Sequence, residues 1–301
     1  MNVLFPLLFC SAVGLSVVTG TVNPEMTRVC ERYVQAARAA YRTEPYQSYT
    51  NTVLDETWCR SGLPRGVAPQ YAKPAAGTVR WHHVEGTANF RDIGGWTGLK
   101  TGLVFRGAEP NCKTNPAHFA EGQKSSHDLF VTANGLKYLS EALRIRTDLD
   151  LRGRGESPTP DETPIPGAQL LRCPVGSYAK ALDQAGLLKI AAALRVFANE
   201  KNYPIYFHCY GGADRTGTLA FLLEGLCGVD EADLAVDYEL TTFGLDRRPR
   251  TDGSYFYASL VREVKKHPGR TLQEKIEHLC LNDMKLTSDE ISTIRRMLLA
   301  D

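Results

Sequence analysis

The sequence predicts an α/β fold in which a central, mainly parallel sheet is flanked by helices. Segments with the patterning of strands alternate along the chain with helical segments, and such alternation is typical of a parallel sheet. Residues 216–227 form a run that is apolar on almost every side and stops at Gly228. That run indicates a central helix that is covered by its neighbours and terminated by a glycine.

Three short segments predict strands. Residues 79–84 have the composition of a strand, and residues 204–208 form a short apolar run directly after a helical segment. Residues 146–151 alternate apolar and polar side chains, which is the pattern of a half-buried strand. We therefore expect Asp148 and Asp150 to face solvent or to cap the end of that strand.

Further helices are predicted on both sides of the central one. Residues 133–145 and 187–199 carry apolar side chains at spacings of three and four. Asp230 is placed to cap a helix that runs to about Thr242. Near the end of the chain, two capping boxes predict two amphipathic helices: Thr271 with Glu274, and Thr287 with Glu290.

The first twenty residues differ from the rest of the chain. Residues 1–20 carry no charge and are mainly apolar, which predicts a secretory signal peptide cleaved near Gly20. A buried N-terminal helix is the alternative. Lipidation at Cys10 is less favoured, because Phe9 is larger than the small residue expected before a lipidated cysteine. We therefore expect export, either to the periplasm or out of the cell.

The remaining chain divides into two parts. Residues 21–75 predict a helical appendage and a linker, since the stretch 61–78 is rich in Pro, Gly and Ala. Residues 76–301 hold the strands and helices described above and form the main domain. After the first twenty residues no apolar run approaches 18 residues, which predicts that the mature chain does not span a membrane.

Composition excludes several function classes. The chain of 301 residues has 35 Lys and Arg against 34 Asp and Glu, so its formal net charge is +1. Such a chain has no overall field that would attract nucleic acid. Its eight cysteines are too few for a disulfide scaffold and include no CxxC pair, which argues against a zinc ribbon. We expect no cofactor, no metal and no nucleic-acid partner.

The segment 207–217, FHCYGGADRTG, lies between a predicted strand and the central helix. In it, five residues separate Cys209 from Arg215. A loop at such a junction can turn successive N–H groups inward to bind an anion, and the positive end of the following helix reinforces it. Gly211 and Gly212 allow the backbone to approach a ligand closely. The segment therefore predicts an anion site.

The side chains of this segment suit phosphoryl transfer. Donors around Cys209 would lower the pKa of its thiol from about 8.5 and make it a nucleophile at neutral pH. Arg215 offers two parallel donors to a phosphoryl group. Asp214 can protonate the leaving oxygen, and the hydroxyl of Thr216 can reach the sulfur. The predicted reaction passes through a phosphocysteine, which water then hydrolyses.

These residues resemble the cysteine-dependent protein tyrosine phosphatases, and specifically the bacterial atypical branch with an HCxxGxDRTG loop. The resemblance covers roughly residues 80–299 and includes four further segments: Asn89–Gly95, Phe105–Gly107, Asp150–Arg152 and Asp237–Tyr238. It implies a tyrosine phosphatase-like fold for the main domain. It also implies that Cys209 is the nucleophile and that Arg215 clamps the phosphate.

The resemblance assigns further roles around the loop. The phosphate-binding residues are expected to be Tyr210, Gly211, Gly212, Ala213, Asp214 and Arg215. The supporting residues are expected to be His208, Thr216, Arg91 and Asp92. The branch often has Lys where this chain has Ala213, and losing that cation argues against highly anionic substrates.

The expected substrate is phosphotyrosine in a protein or a small phosphomonoester, with phosphoserine and phosphothreonine as secondary substrates. The alternative is an inositol phosphate or phosphoinositide. For the general acid, Asp214 is preferred and Asp183 is the alternative, although Asp183 is also well placed to cap a helix. Arg91 and Asp92 either line the pocket or tie a turn together.

A few other residues support narrower expectations. Arg152 follows a predicted strand and is expected to be a structural ion-pair partner. His82 and His83 are expected to have core or surface roles, since no partner at metal-ligand spacing accompanies them. The remaining expectations concern cysteines: Cys227 fills space in the central helix, and Cys30 and Cys59 are candidates for a disulfide.

Overall fold

The computed structural model describes residues 82, 84–96, 98–110, 130–156, 160–241 and 257–300. The predicted signal peptide, the appendage over 21–75 and the Cys30–Cys59 pair lie outside these ranges, as does His83. No helix within them is both long enough and apolar enough to cross a membrane.

The described strands form one sheet. In chain order they are β1 (Arg91–Asp92), β2 (Val104–Gly107), β3 (Thr147–Asp150), β4 (Gln169–Arg172) and β5 (Ile205–His208). Their order in the sheet is β1-β2-β5-β3-β4, and only the pairing of β1 with β2 is antiparallel. The prediction of a mainly parallel sheet is confirmed.

Helices cover the sheet. They are α1 (Ala133–Lys137), α2 (Gln184–Phe197), α3 (Asp214–Leu226), α4 (Glu231–Glu239), α5 (Tyr257–Lys265), α6 (Leu272–His278) and α7 (Ser288–Leu298). Two π-helical turns, Tyr138–Ala142 and Leu279–Asp283, continue α1 and α6. The expected helix over 133–145 is therefore part α and part π. Both predicted capping boxes are present, at the starts of α6 and α7.

Alternate side chains of the central strand β5 point to the two faces of the sheet. Ile205 and Phe207 are buried in the larger hydrophobic core, which contains α2, α3 and the C-terminal helices. Tyr206 is buried in a smaller core with Phe90 and Phe105. Both faces of β5 are thus covered, which explains why its sequence reads as a continuous apolar run.

One strand prediction finds no support. Of the segment 79–84, the structure describes His82 and Val84, and neither belongs to a strand. His82 is instead half-buried and packs beside the smaller core, so its position lies between the core and surface roles expected for it. Its Nδ1 lies 2.9 Å from the hydroxyl of Tyr138, and its ring meets Phe105 edge-on. Burial lowers the pKa of His82 to about 4, so it is neutral at pH 7.

The parallel strands position the site. The carboxyl ends of parallel strands meet at one edge of a sheet, where ligands commonly bind. Here β2, β3 and β5 end side by side, with His208 opposite both Gly107 and Asp150. The segment that follows β5 therefore lies beside the chain that leaves β2 and β3.

Candidate active site

The loop 209–213 connects β5 to α3 at this edge. Cys209 comes directly after β5 and is 4% exposed. Helix α3 begins at Asp214, and its N-cap residue, Ala213, makes no side-chain hydrogen bond to the first turn. The first N–H groups of a helix need partners from outside it. Because the side chain of Ala213 offers no acceptor, these N–H groups remain available to acceptors from the loop or from a ligand.

The carbonyl groups of the loop are held by donors that lie outside it. His208 Nδ1 is 3.1 Å from the oxygen of Cys209, and the N–H of Glu109 donates to the oxygen of Tyr210 at 2.9 Å. Asn89 Nδ2 donates to the oxygens of both Gly211 and Gly212 at 3.0 Å. In a trans peptide the C=O and the next N–H point in opposite directions. The N–H groups of residues 210–213 are therefore turned away from these donors and form an inward-facing set.

Two buried arginines extend this arrangement. Arg106 donates to the oxygen of Gly212 at 3.0 Å and to a carboxylate oxygen of Asp237 at 2.7 Å. Arg91 donates to Asn89 Oδ1 at 2.6 Å and to the carbonyl of Asp237 at 2.9 Å. These side chains are almost fully buried, so their charges must be compensated within the protein. Asp237 thus orients the two groups that hold the loop.

Gly212 is the tightest point of the loop. Its φ is +66°, a conformation that L side chains rarely adopt. A Cβ atom built at this position would lie 2.1 Å from the carbonyl oxygen of Gly107. The neighbour is backbone at the end of β2, so it cannot rotate away. The loop keeps its shape only with glycine here.

His208, the residue before Cys209, is fully buried against two acids. Its Nε2 is 2.8 Å from Asp148 Oδ1, and its Nδ1 is 4.0 Å from Asp150 Oδ1. Burial lowers the pKa of His208, but Asp148 and Asp150 together raise it by more, while Arg152 opposes them, so the net shift is upward. The two buried acids therefore favour the protonated form of the His208 ring relative to a free histidine.

These contacts correct one expectation. Asp148 and Asp150 do not face solvent, since they are 1% and 0% exposed. Asp150 does cap the end of β3, because its Oδ1 accepts the N–H of Arg152 at 2.9 Å. The side chain of Arg152 forms ion pairs with Asp150 and with Glu109, which confirms the prediction of a structural partner. The acids are buried because each has a charged neighbour.

Arg215 lies in the first turn of α3, beside the carboxylate of Glu156, which was not predicted from the sequence. Its Nη1 is 2.9 and 2.8 Å from the two carboxylate oxygens of Glu156. Burial lowers the pKa of Arg215, while Cys209 and Glu156 raise it by more. The guanidinium therefore stays charged, and Cys209 lies within its field. Glu156 also accepts the N–H of Gly153 at 2.8 Å, which fixes the carboxylate in place.

The two candidates for the general acid have different surroundings. Asp214 is half-buried at the start of α3, and Oδ1 accepts a hydrogen bond from the hydroxyl of Tyr178. Asp183 is exposed and is the N-cap of α2, with Oδ1 accepting the N–H of Gly186 at 2.7 Å. The capping role expected for Asp183 is confirmed. Only Asp214 adjoins Arg215.

The remaining supporting residues, Thr216, Asp92 and Arg91, have different roles in the structure. Thr216 is fully buried, and its hydroxyl has no hydrogen-bond partner among the described residues, so the expected contact with the sulfur is not formed. Asp92 accepts the N–H groups of Gly94 and Gly102 at 2.7 and 2.5 Å and ties two turns together. Arg91 acts on the loop through Asn89.

Several functional neighbours were not identified from the sequence. They share one property, since each contacts the loop, the first turn of α3 or a residue that holds the loop from a distant segment: Asn89, Arg106, Glu109, Glu156, Tyr178 and Asp237. The signal for Asn89, Arg106 and Asp237 was present, because they fall in segments that carry the family resemblance. Glu156 had only a weak signal, as an acid in a glycine-rich stretch after β3.

Comparison with known proteins agrees with this geometry. A model of the tyrosine phosphatase family matches residues 82–300. The chain belongs to the tyrosine phosphatase family. The matched residues include the loop 209–213 and Arg215, and the name of the family refers to the hydrolysis of phosphate esters. No curated protein matches the chain.

Solved structures give a more distant likeness. One is the core catalytic domain of the PP-IP phosphatase SIW14 from S. cerevisiae in complex with citrate, with 17% identity and a TM-score of 0.35. The alignment covers 56% of this chain and 88% of that one. Another structure of the Siw14 catalytic core has 19% identity and a TM-score of 0.32, and covers 52% and 80% of the two chains.

Proposed function

We propose that this phosphatase hydrolyses phosphotyrosine through a phosphocysteine intermediate formed on Cys209. The observation that carries the proposal is the loop itself, in which donors hold the carbonyls of residues 209–212 from outside. The inward N–H groups bind the oxygens of a phosphoryl group and stabilise the charge that they carry in the transition state. Cys209 lies at the start of this loop.

The reaction has two steps. The Cys209 thiolate attacks phosphorus, a P–S bond forms, and the P–O bond to the leaving group breaks as Asp214 gives that oxygen a proton. Water then attacks the phosphocysteine, gives a proton back to Asp214, and releases phosphate and the thiolate. Arg215 holds two phosphoryl oxygens throughout. The hydroxyl of Tyr178 keeps the Asp214 side chain oriented in this reaction.

The charge balance around the loop supports a substrate with one phosphate group. Four described arginines near the loop pair with carboxylates: Arg215 with Glu156, Arg152 with Asp150 and Glu109, and both Arg106 and Arg91 with Asp237. Ala213 adds no cation. A polyphosphorylated ligand gains from additional positive charge. The described residues supply enough positive charge to bind a single phosphoryl group.

A turnover panel tests this proposal. The value of kcat/KM is measured on phosphotyrosyl, phosphoseryl and phosphothreonyl peptides and on inositol phosphates. We expect phosphotyrosyl peptides to be preferred, and a preference for inositol phosphates would replace the proposal with the alternative substrate class. Cys209→Ser is the control, since its hydroxyl is not ionised at neutral pH. Substantial activity in that variant would exclude the phosphocysteine route.

We also propose export, based on the uncharged, apolar segment 1–20. Intact-mass analysis of the protein recovered from its native host is the test. A mature chain that begins near residue 21, outside the cytosol, is the expected result. The full 301-residue chain recovered from the cytosol would contradict the signal peptide.

A further inference from the structure

Three side chains of metal-binding type converge at a corner of the fold formed by α5, α6 and the π-helix Leu279–Asp283. His267 follows α5, His278 is the last residue of α6, and Asp283 is the last residue of the π-helix. One ligand atom from each lies within 4.8 Å of the other two. We propose that this cluster, the corner site, binds a structural Zn²⁺ ion. No metal was expected from the sequence.

The π-helical turn is what brings two of these residues together. In an α-helix each residue is rotated by about 100° from the one before, so residues five apart point in different directions. In a π-helix the hydrogen bonds join residues five apart, and those residues lie on one face. His278 precedes the turn and Asp283 ends it, five residues later. A regular α-helix would separate these two side chains.

The distances are close to those of a tetrahedral zinc site. Zn–N and Zn–O bonds of about 2.0–2.1 Å at tetrahedral angles place neighbouring ligand atoms about 3.3 Å apart. His267 Nδ1 is 3.4 Å from Asp283 Oδ2, and His278 Nδ1 is 4.0 Å from the same oxygen. One edge already has the required length. The edge between His278 and Asp283 needs a shift of less than about 1 Å. The third edge, between the two histidines, is no longer than 4.8 Å, and rotation of the side chains can shorten it.

The state of His278 points to a ligand. Its Nδ1 is buried and makes no hydrogen bond within the described part of the chain. A buried polar atom without a partner destabilises the fold, and a metal bond would remove that penalty. The rings of His267 and His278 are 6.0 Å apart, so both can turn their Nδ1 atoms toward one point.

The surroundings of the corner site suit a structural ion. Lys275 donates to the backbone oxygen of His267 at 2.7 Å, which fixes the segment that carries this histidine against α6. The Asp283 side chain is 38% exposed, so water can take the fourth coordination position. Two neutral imidazoles and one carboxylate are ligands that Zn²⁺ accepts.

A bound ion would join the end of α5 to the end of α6. Helix α6 packs on α3, because Gln273 donates to the carbonyl of Leu226 at 3.1 Å and Ile276 reaches Gly225. The ion would therefore stabilise the packing around the C-terminal end of α3. The loop and Arg215 lie at the opposite end of that helix, so we expect an effect on stability rather than on turnover.

Zinc binding by the full-length chain tests this inference. All variants carry Cys209→Ser, so that the active-site thiol does not compete for zinc. After equilibrium dialysis against Zn²⁺, metal content is measured by mass spectrometry, and the melting temperature is measured in Zn²⁺ and in EDTA. We expect the Cys209→Ser parent to hold one more Zn²⁺ per chain than either His278→Ala or Asp283→Asn.

The parent should melt about 5–10 °C higher in saturating Zn²⁺ than in EDTA, and the two variants should lose that rise. Asp289→Asn, an exposed acid in the first turn of α7, is the matched control and should behave as the parent. Equal zinc content in parent and variants, or no zinc-dependent rise in the parent, would overturn the proposal. His267→Ala gives the same test if His278→Ala fails to fold in EDTA.

Discussion

Replacing Gly212 with alanine should damage the active site more than it damages the fold. The backbone at φ +66° costs a non-glycine residue about 1–2 kcal/mol. The added Cβ would also lie 2.1 Å from the Gly107 oxygen, about 1.3 Å closer than the 3.4 Å at which ordinary contact begins. The loop must therefore move by about 1 Å, and a displacement of that size can reduce the rate about 100-fold.

The assay compares kcat/KM and melting temperature for Gly212→Ala and Gly167→Ala. Gly167 has a similar φ of +78°, but a Cβ there would meet nothing within 4 Å. We expect Gly167→Ala to lose only the free energy that a positive φ costs a non-glycine residue. That loss is about 1 kcal/mol of stability, or roughly 2–4 °C in melting temperature, and kcat/KM should be unchanged. Gly212→Ala should lose about 100-fold or more in kcat/KM. If both variants keep wild-type kcat/KM, the close approach to β2 does not shape the loop.

The remaining predictions concern protons and the phosphate clamp. Asp214→Asn should slow hydrolysis of phenyl phosphate by about 100-fold or more and of p-nitrophenyl phosphate much less, since an acid matters most for a basic leaving group; the same pattern in Asp183→Asn alone would transfer the role. Arg215→Lys should lose most of its kcat/KM on phosphotyrosyl peptide, because a point charge cannot replace two parallel donors, and near-normal kinetics would make Arg215 structural. The raised pKa of His208 adds stability that is fully present below its unfolded pKa of about 6.5 and is lost as pH rises through the folded value. The melting-temperature difference between wild type and Asp148→Asn should therefore shrink as pH rises, and a difference independent of pH would show that the His208 charge is not involved.

The sequence predicted the elements whose patterns are local. The β5 run, the central helix α3 and the two capping boxes each depend on neighbouring residues, and all four are present. Strand β4 was missed because its four residues are partly exposed and have no alternation that distinguishes a strand. The π-helical turn after α1 was missed because a single extra residue per turn barely changes an apolar pattern over 133–145.

In the candidate site, too, only the features that depend on neighbouring residues were predicted. Cys209, Asp214 and Arg215 lie in one short segment, and the chemistry proposed for that segment follows from its residue types. The burial of Asp148 and Asp150 was not predicted, because an acid normally stays in water unless a charge compensates it. Asp150 has Arg152 two residues away in the sequence, but the partner of Asp148, His208, becomes its neighbour only when β3 pairs with β5.

The clamp on the loop also has a consequence for synthesis of the chain. Asn89 reaches Gly211 across 122 residues, and Arg91 reaches Asp237 across 146. Contacts this distant in sequence form late in folding, because closing long loops is entropically costly. The full set of contacts that holds the loop 209–213 can therefore form only after Asp237 has left the ribosome. A nascent or truncated chain that ends before α4 therefore carries the signature segment without the carboxylate that pairs with Arg91 and Arg106.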